Sequence, residues 1–149
     1  MNKRNILNLF FYLMTVVTIS CLTSCSDSDG DGPKDIDTDK LEGTWDFQNG
    51  KMQIAGQTIT IDKSDLGDLA SEMGVSGFYD ETLRFSGSRC NGQPYTLDGN
   101  KFEWDAWSSS DAEMMDVTIK TLNESKLVFH VVYNIPGVKA TCDMTYAKR

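Results

Sequence analysis

Val138-Lys139-Ala140-Thr141-Cys142-Asp143-Met144-Thr145-Tyr146, close to the end of the chain, alternates apolar and polar residues without a break. Successive side chains of a strand point to opposite faces, so this is a strand with one buried face. Val138, Ala140, Cys142, Met144 and Tyr146 form the inward set, and Cys142 points to the core. Working backwards, Asn134 to Gly137 is a proline-containing turn, and Lys126 to Tyr133 and Asp116 to Leu122 are two longer strands. Asn123-Glu124-Ser125 joins them; it also spells a glycosylation acceptor but reads more simply as a turn. Tyr95 to Leu97 and Lys101 to Trp104 flank Asp98-Gly99-Asn100, a strong hairpin signal. Glu81 to Phe85 alternates with Leu83 and Phe85 inward, and Lys51 to Ala55 and Gln57 to Asp62 flank Gly56, with Ile59 and Ile61 on one face. Between these, Ser64 reads as an N-cap for a short helix through Leu66, Leu69, Ala70 and Met73, stopped by Gly74. Eight or nine short antiparallel strands in sequential hairpins predict an all-β, up-and-down barrel with one short helix, and a β-sandwich as the alternative. An eight-stranded barrel has room for packed side chains or one small ligand.

The strand that opens the domain is Leu41-Glu42-Gly43-Thr44-Trp45-Asp46-Phe47. Its Gly-x-Trp resembles the first-strand motif of lipocalin-like barrels, and the strand pattern extends the resemblance over residues 41–149. The resemblance implies that Trp45 closes one end of the barrel beneath a base from the last strand, Lys148 or Arg149.

The start of the chain carries an address. Lys3 and Arg4 precede an apolar run from Ile6 to Ile19, too short for a comfortable membrane span. Leu22-Thr23-Ser24-Cys25 follows and resembles the cleavage box of bacterial lipoprotein signal peptides; Cys21 competes less well, because Thr18 stands where Leu22 fits. The next residues, Ser26-Asp27-Ser28-Asp29-Gly30-Asp31, resemble the acidic stretch of surface-exposed lipoproteins of the Bacteroidota. The resemblance implies a signal peptide over 1–24, a lipidated Cys25 and a flexible acidic tether to residue 40. It also implies an outer-membrane, surface-exposed domain, with the membrane as a partner through several acyl chains.

Composition sharpens this. The chain has 14 basic and 22 acidic residues, and the first 24 residues hold two of the basic ones and no acidic one. The mature chain is therefore 12 against 22, a net charge of -10, a poor partner for nucleic acid or anionic lipid. Cys90 and Cys142 remain once Cys21 and Cys25 are assigned, and in an oxidising compartment a disulfide is the natural expectation. A loop of that size would contribute about 4 kcal/mol by chain entropy. A redox-active pair is the other reading, but there is no Cys-x-x-Cys spacing. Asp27-x-Asp29-x-Asp31-Gly32 matches the first half of a calcium loop, but its twelfth position is Thr38 where a bidentate glutamate is required, so no metal site is expected.

Catalytic constellations are missing from the sequence. His130 stands alone in Leu127-Val128-Phe129-His130-Val131-Val132, and no second histidine exists to share a metal. Residues 108–110 are serines without nucleophile-elbow glycines. Asp80 with Glu81, and Glu103 with Asp105, are the carboxylate pairs to be tested against a common cleft. No cofactor is expected, nor an enzyme. What stands out instead is aromatic residues in loops: Trp107 among serines and acids, and Phe78 with Tyr79 after a run of small residues. With Trp104 at the end of its strand, these four are the candidate contacts for a small apolar ligand at the barrel mouth. They are also candidates for a protein-binding patch or for a plug over the barrel end, and the plug is the reading favoured because a small barrel needs its ends covered. Phe102 reads as barrel filling. A ligand-binding lipoprotein, a surface interaction module with a filled barrel, and an enzyme with an unseen site are the three functions open, in that order.

Overall fold

The computed structural model describes residues 35–68, 80–107 and 113–149. The lipidation segment with Cys25, the aspartate-rich stretch, helix residues 69–73, Phe78, Tyr79 and serines 108–110 lie outside the described residues. Nine strands follow one another: β1 (Gly43–Ile54), β2 (Gln57–Ile61), β3 (Thr82–Ser86), β4 (Arg89–Cys90), β5 (Gln93–Asp98), β6 (Lys101–Trp104), β7 (Met115–Leu122), β8 (Lys126–Ile135) and β9 (Val138–Lys148). They form one antiparallel sheet in the order β2-β1-β3-β4-β5-β6-β7-β8-β9, and β9 pairs back with β1. The sheet thus closes into an up-and-down barrel. Closure of β1 and β3–β9 pairs both edges of those strands, and β2, which pairs with β1 alone, is the one strand among the described residues left with an unpaired edge.

The long β1 makes closure possible. One edge of it pairs with β9 from Trp45↔Lys148 to Ile54↔Ala140. The other edge is divided: Gly43 to Asp46 pairs with β3, and Gly50 to Ile54 pairs with β2. The register against β9 slips between Phe47 and Asn49, so the inward set changes from Trp45 and Phe47 to Gly50, Met52 and Ile54. A bulge does this by inserting one extra residue and bending the strand. Gly50 sits at the inward position just beyond it. A Cβ there would lie 3.2 Å from Ile61 Cβ and 3.7 Å from Cys142 Sγ, so β1 accepts its neighbours at this point because it carries no side chain.

The core is the inward set of every strand. Trp45, Ile119, Leu127, Phe129, Met144 and Tyr146 have no exposed surface. Each such side chain contributes about 1.5–3 kcal/mol on leaving water, set against the entropy of ordering the chain. Aromatic rings run through this interior in unbroken contact. Phe47 meets Tyr146, Tyr146 meets Phe129, Phe129 meets Phe102, and Phe102 meets Tyr95 and Phe85, with centroids 5.1–6.2 Å apart.

Three local features differ from the sequence reading. The strand β4 is two residues long, between turns at Gly87 and at Asn91-Gly92, and was not foreseen. The helical turn after β2 starts as a 3₁₀ turn at Lys63–Asp65 and is capped by Asp62 rather than Ser64; the Asp62 N–H donates to the Asp65 carboxylate at 2.9 Å. The part of the chain assigned to the tether includes an ordered turn of helix, α1 (Thr38–Leu41), whose N-cap is Asp37. Leu41 is fully buried, and Ile36 packs against the core.

Candidate functional site

One barrel end is built by the opening motif. Trp45 is fully buried, and its indole N–H donates to the Leu41 carbonyl at 2.7 Å, tying α1 down across the end. Of the two bases expected near it, Lys148 is the one above the ring, its Nζ 5.1 Å from the centroid and 3.1 Å from the Lys40 carbonyl. Arg149 turns the other way and binds Asp46 through two nitrogens at 2.8 and 2.9 Å. That contact, joined by a hydrogen bond from Thr82, holds the Asp46 carboxyl below its usual value. Gly43 explains its own place in the motif. Its φ is +117°, where other residues are strained, and a Cβ there would crowd Lys148 Cε at 3.1 Å, so glycine suits both the backbone and the path of the lysine stem to the tryptophan.

Of the four aromatic candidates the structure describes Trp104, at the end of β6, and Trp107 just after it. Trp104 is buried, and its indole N–H donates to the Cys90 carbonyl at 3.1 Å. Trp107 follows in a turn closed by its own N–H to the Trp104 carbonyl at 3.0 Å. That turn folds its half-buried indole back onto Phe102 and Trp104, at 5.9 and 6.3 Å, both edge to face. The structure therefore brings Trp104 and Trp107 together and packs Trp107 against the core. Met114 packs there too. Here strand pairing within the ring is sparse: β6 pairs with β7 at Lys101↔Thr118 alone, with one further bond from the Ile119 N–H to the Asn100 carbonyl.

Cys90 and Cys142 do not form the expected disulfide; both thiols are free and buried. They sit on β4 and β9, with β3 and β1 between them in the ring. Burial pushes both thiols up to about 12, so neither is an accessible nucleophile. Inward orientation placed each in the core but could not place them beside each other.

The sequence missed a polar cluster on the outer wall. His130 on β8 stands opposite Asp143 on β9, with Nδ1 2.6 Å from Oδ1. Lys120 reaches the other carboxylate oxygen at 2.7 Å. Lys120 is the extra residue where the β7–β8 register slips between Ile119 and Thr121, so the bulge aims it across β8. The His130 hydrogen bond first, and Lys120 after it, hold the Asp143 carboxyl below its ordinary value against the opposing effect of burial. The signal for this cluster lay in register, which one strand's alternation does not contain. The other carboxylate candidates are separately engaged: Asp80 accepts from Asn91, Glu81 pairs with Lys63, and Glu103 pairs with Lys101. Among the described residues no three histidine, cysteine or acidic side chains are grouped to hold a metal. No helix among them is long and apolar enough to cross a membrane. No protein-family model matches the chain, and no curated protein is significantly similar to it.

Proposed function

We propose that this protein is a lipid-anchored, lipocalin-like lipoprotein of the outer membrane that binds a small apolar ligand where Trp104, Trp107 and Phe102 meet. The observation that carries the reading is the position of Trp107. It belongs to the loop, is only half-buried, and rests on two inward rings beside the sparsely paired β6–β7 seam. A ligand able to displace that one indole gains an aromatic floor already in place. Lys148 over Trp45 supports the lipocalin-like likeness. The cleavage box at Leu22-Thr23-Ser24-Cys25 supports the anchor. A filled barrel acting as a rigid protein-interaction module is the second reading, favoured by the unbroken ring contacts from Phe47 to Phe102.

Titration with the uncharged probe diphenylhexatriene separates the two. A saturable signal that weakens at least about tenfold in Trp107→Ala and Trp104→Ala supports the ligand site, since aromatic anchors dominate binding energy. No saturable binding to a folded protein leaves the filled module. Fractionation of Cys25→Ala tests the anchor separately: an unprocessed or released protein is expected, and a processed membrane-bound one refutes lipidation.

A further inference from the structure

Every strand of the ring has a neighbour on both sides, but β2 pairs with β1 alone, and its other edge is unpaired among the described residues. The turn before it settles which backbone groups lie on that edge. Ala55 and Gly56 both have positive φ, +49° and +78°, which is the hairpin turn whose closing pair exchanges both backbone hydrogen bonds. Ile54↔Gln57 is that closing pair. Bonded and non-bonded pairs alternate, so Met52↔Ile59 and Gly50↔Ile61 are bonded too. The N–H and C=O groups of Thr58 and Thr60 therefore point away from β1. Both threonines are exposed, and Ile59 between them packs on the core but is only half-buried. Proteins usually block such an edge with a charge, a proline or a bulge. β2 carries none of these: Met52 to Ile61 has no charged residue in a chain of net charge -8, and its register against β1 is unbroken.

We propose that the free edge of β2 is a self-association surface, occupied by β2 of a second copy, antiparallel about a two-fold axis through Ile59. The chain's own pattern fixes that register. Thr58 comes opposite the partner's Thr60, and Thr60 opposite the partner's Thr58, so every outward backbone group of these residues gains a hydrogen bond. Ile59 meets the partner's Ile59 as a non-hydrogen-bonded pair, where side chains approach most closely, and each covers what the other's barrel leaves open. Asp62 comes opposite the partner's Gly56, and Lys63 opposite the partner's Ala55, so no like charges face each other. Sliding to the next bonded register, either way, sets one threonine against the partner's Gly56 turn or its Asp62. One short strand pair buries less than the about 1,200 Å² at which standard interfaces begin, so this is a weak dimer that forms as concentration rises. The lipid anchor proposed above would raise that concentration by holding copies in one plane. No residue of the Trp104–Trp107 site takes part, so the inference stands apart from the ligand-binding reading.

The test uses the chain from residue 26 onward, which holds every described element. Its sedimentation mass should rise from one copy toward two across the micromolar-to-millimolar range. The amides of Thr58 and Thr60 should exchange several times more slowly at the top of that range than at the bottom, since only the dimer bonds them. Thr58→Pro removes a donor that β1 does not use, and Thr60→Lys puts a charge on the edge; both should stay monomeric. Thr60→Lys keeps the test standing if the proline disturbs folding. On mild oxidation Ile59→Cys should give a disulfide-linked dimer, whereas Gln57→Cys, opposite the partner's Ile61, should not; the parent, whose two described cysteines are buried, is the blank. A parent that stays monomeric at millimolar concentration, with no more cross-linking by Ile59→Cys than by Gln57→Cys, overturns the proposal. A dimer that both edge variants keep places the contact on another surface and overturns it as well. So does a monomeric parent whose Thr58 and Thr60 amides are already protected, because the chain itself then covers the edge. A monomeric parent in which an added extended peptide protects those amides gives the edge to a foreign strand and equally refutes the pairing of copies.

Discussion

Replacing Trp45 by phenylalanine isolates the bond that closes the barrel end. Phenylalanine keeps most of the ring volume beneath Lys148 but has no N–H for the Leu41 carbonyl, which Trp45 meets at 2.7 Å. The bond is buried, so the carbonyl left behind loses its partner without gaining water, at about 1–3 kcal/mol. Part of the packing goes as well, and the weaker cation–π face of phenylalanine costs up to about 1 kcal/mol more. The sum is about 2–4 kcal/mol, against about 3–5 for Trp45→Ala, where the cavity of a fully buried side chain is added. For a domain of this size 1 kcal/mol moves the midpoint by about 4 °C, so Trp45→Phe should melt about 8–16 °C below the parent. Urea melts supply the free energies, and hydrogen exchange at Leu41 supplies the location. The loss should appear together with faster exchange in α1, because the indole and Lys148 are the two side chains that hydrogen-bond α1 carbonyls to the barrel. A Trp45→Phe protein within about 0.5 kcal/mol of the parent, with α1 still protected, would refute the argument that this hydrogen bond closes the end.

Further outcomes follow from the same geometry. Trp107→Ala should cost about 2–3 kcal/mol in a denaturant melt, less than a fully buried tryptophan because the indole is half-buried; a change under about 0.5 kcal/mol would remove its plugging role. Alkylation mapped by mass spectrometry should modify Cys90 and Cys142 in the unreduced, denatured protein and neither in the native one; protection in both states would show a disulfide after all. Asp143 is depressed in the fold, so its contribution is present above the ordinary carboxylate value of about 3.9 and is lost as pH falls through its folded value. Asp143→Asn should therefore be less stable than the parent at pH 7, with the difference closing in melts below about pH 4; a difference constant with pH would show that the His130–Asp143 contact does not set that carboxyl.

Most of the strands were legible because alternation is a local property. Val138 to Tyr146 declares its buried face without reference to any other strand, and Asp98-Gly99-Asn100 declares a turn by its own backbone chemistry. The Gly-x-Trp motif likewise marked Trp45, and a base at the chain end, before any packing was known. The register between strands was beyond the sequence, because it depends on bulges at Phe47/Asn49 and Ile119/Thr121 that shift pairing by one residue. The second shift brings Lys120 to Asp143, which the unshifted β8–β9 register places opposite His130. The first turns Gly50 inward beside Ile61 and Cys142. The same limit applies to the two cysteines: alternation could say that each faces the core, but only the ring order put β3 and β1 between them. The choice of Lys148 over Arg149 was likewise tertiary, since it turned on the β1–β9 register that sets Lys148 opposite Trp45 and on the pull of Asp46 on Arg149. A chain thus records in its own order which side chains are buried; which buried or polar groups touch is fixed when the strands must close one ring.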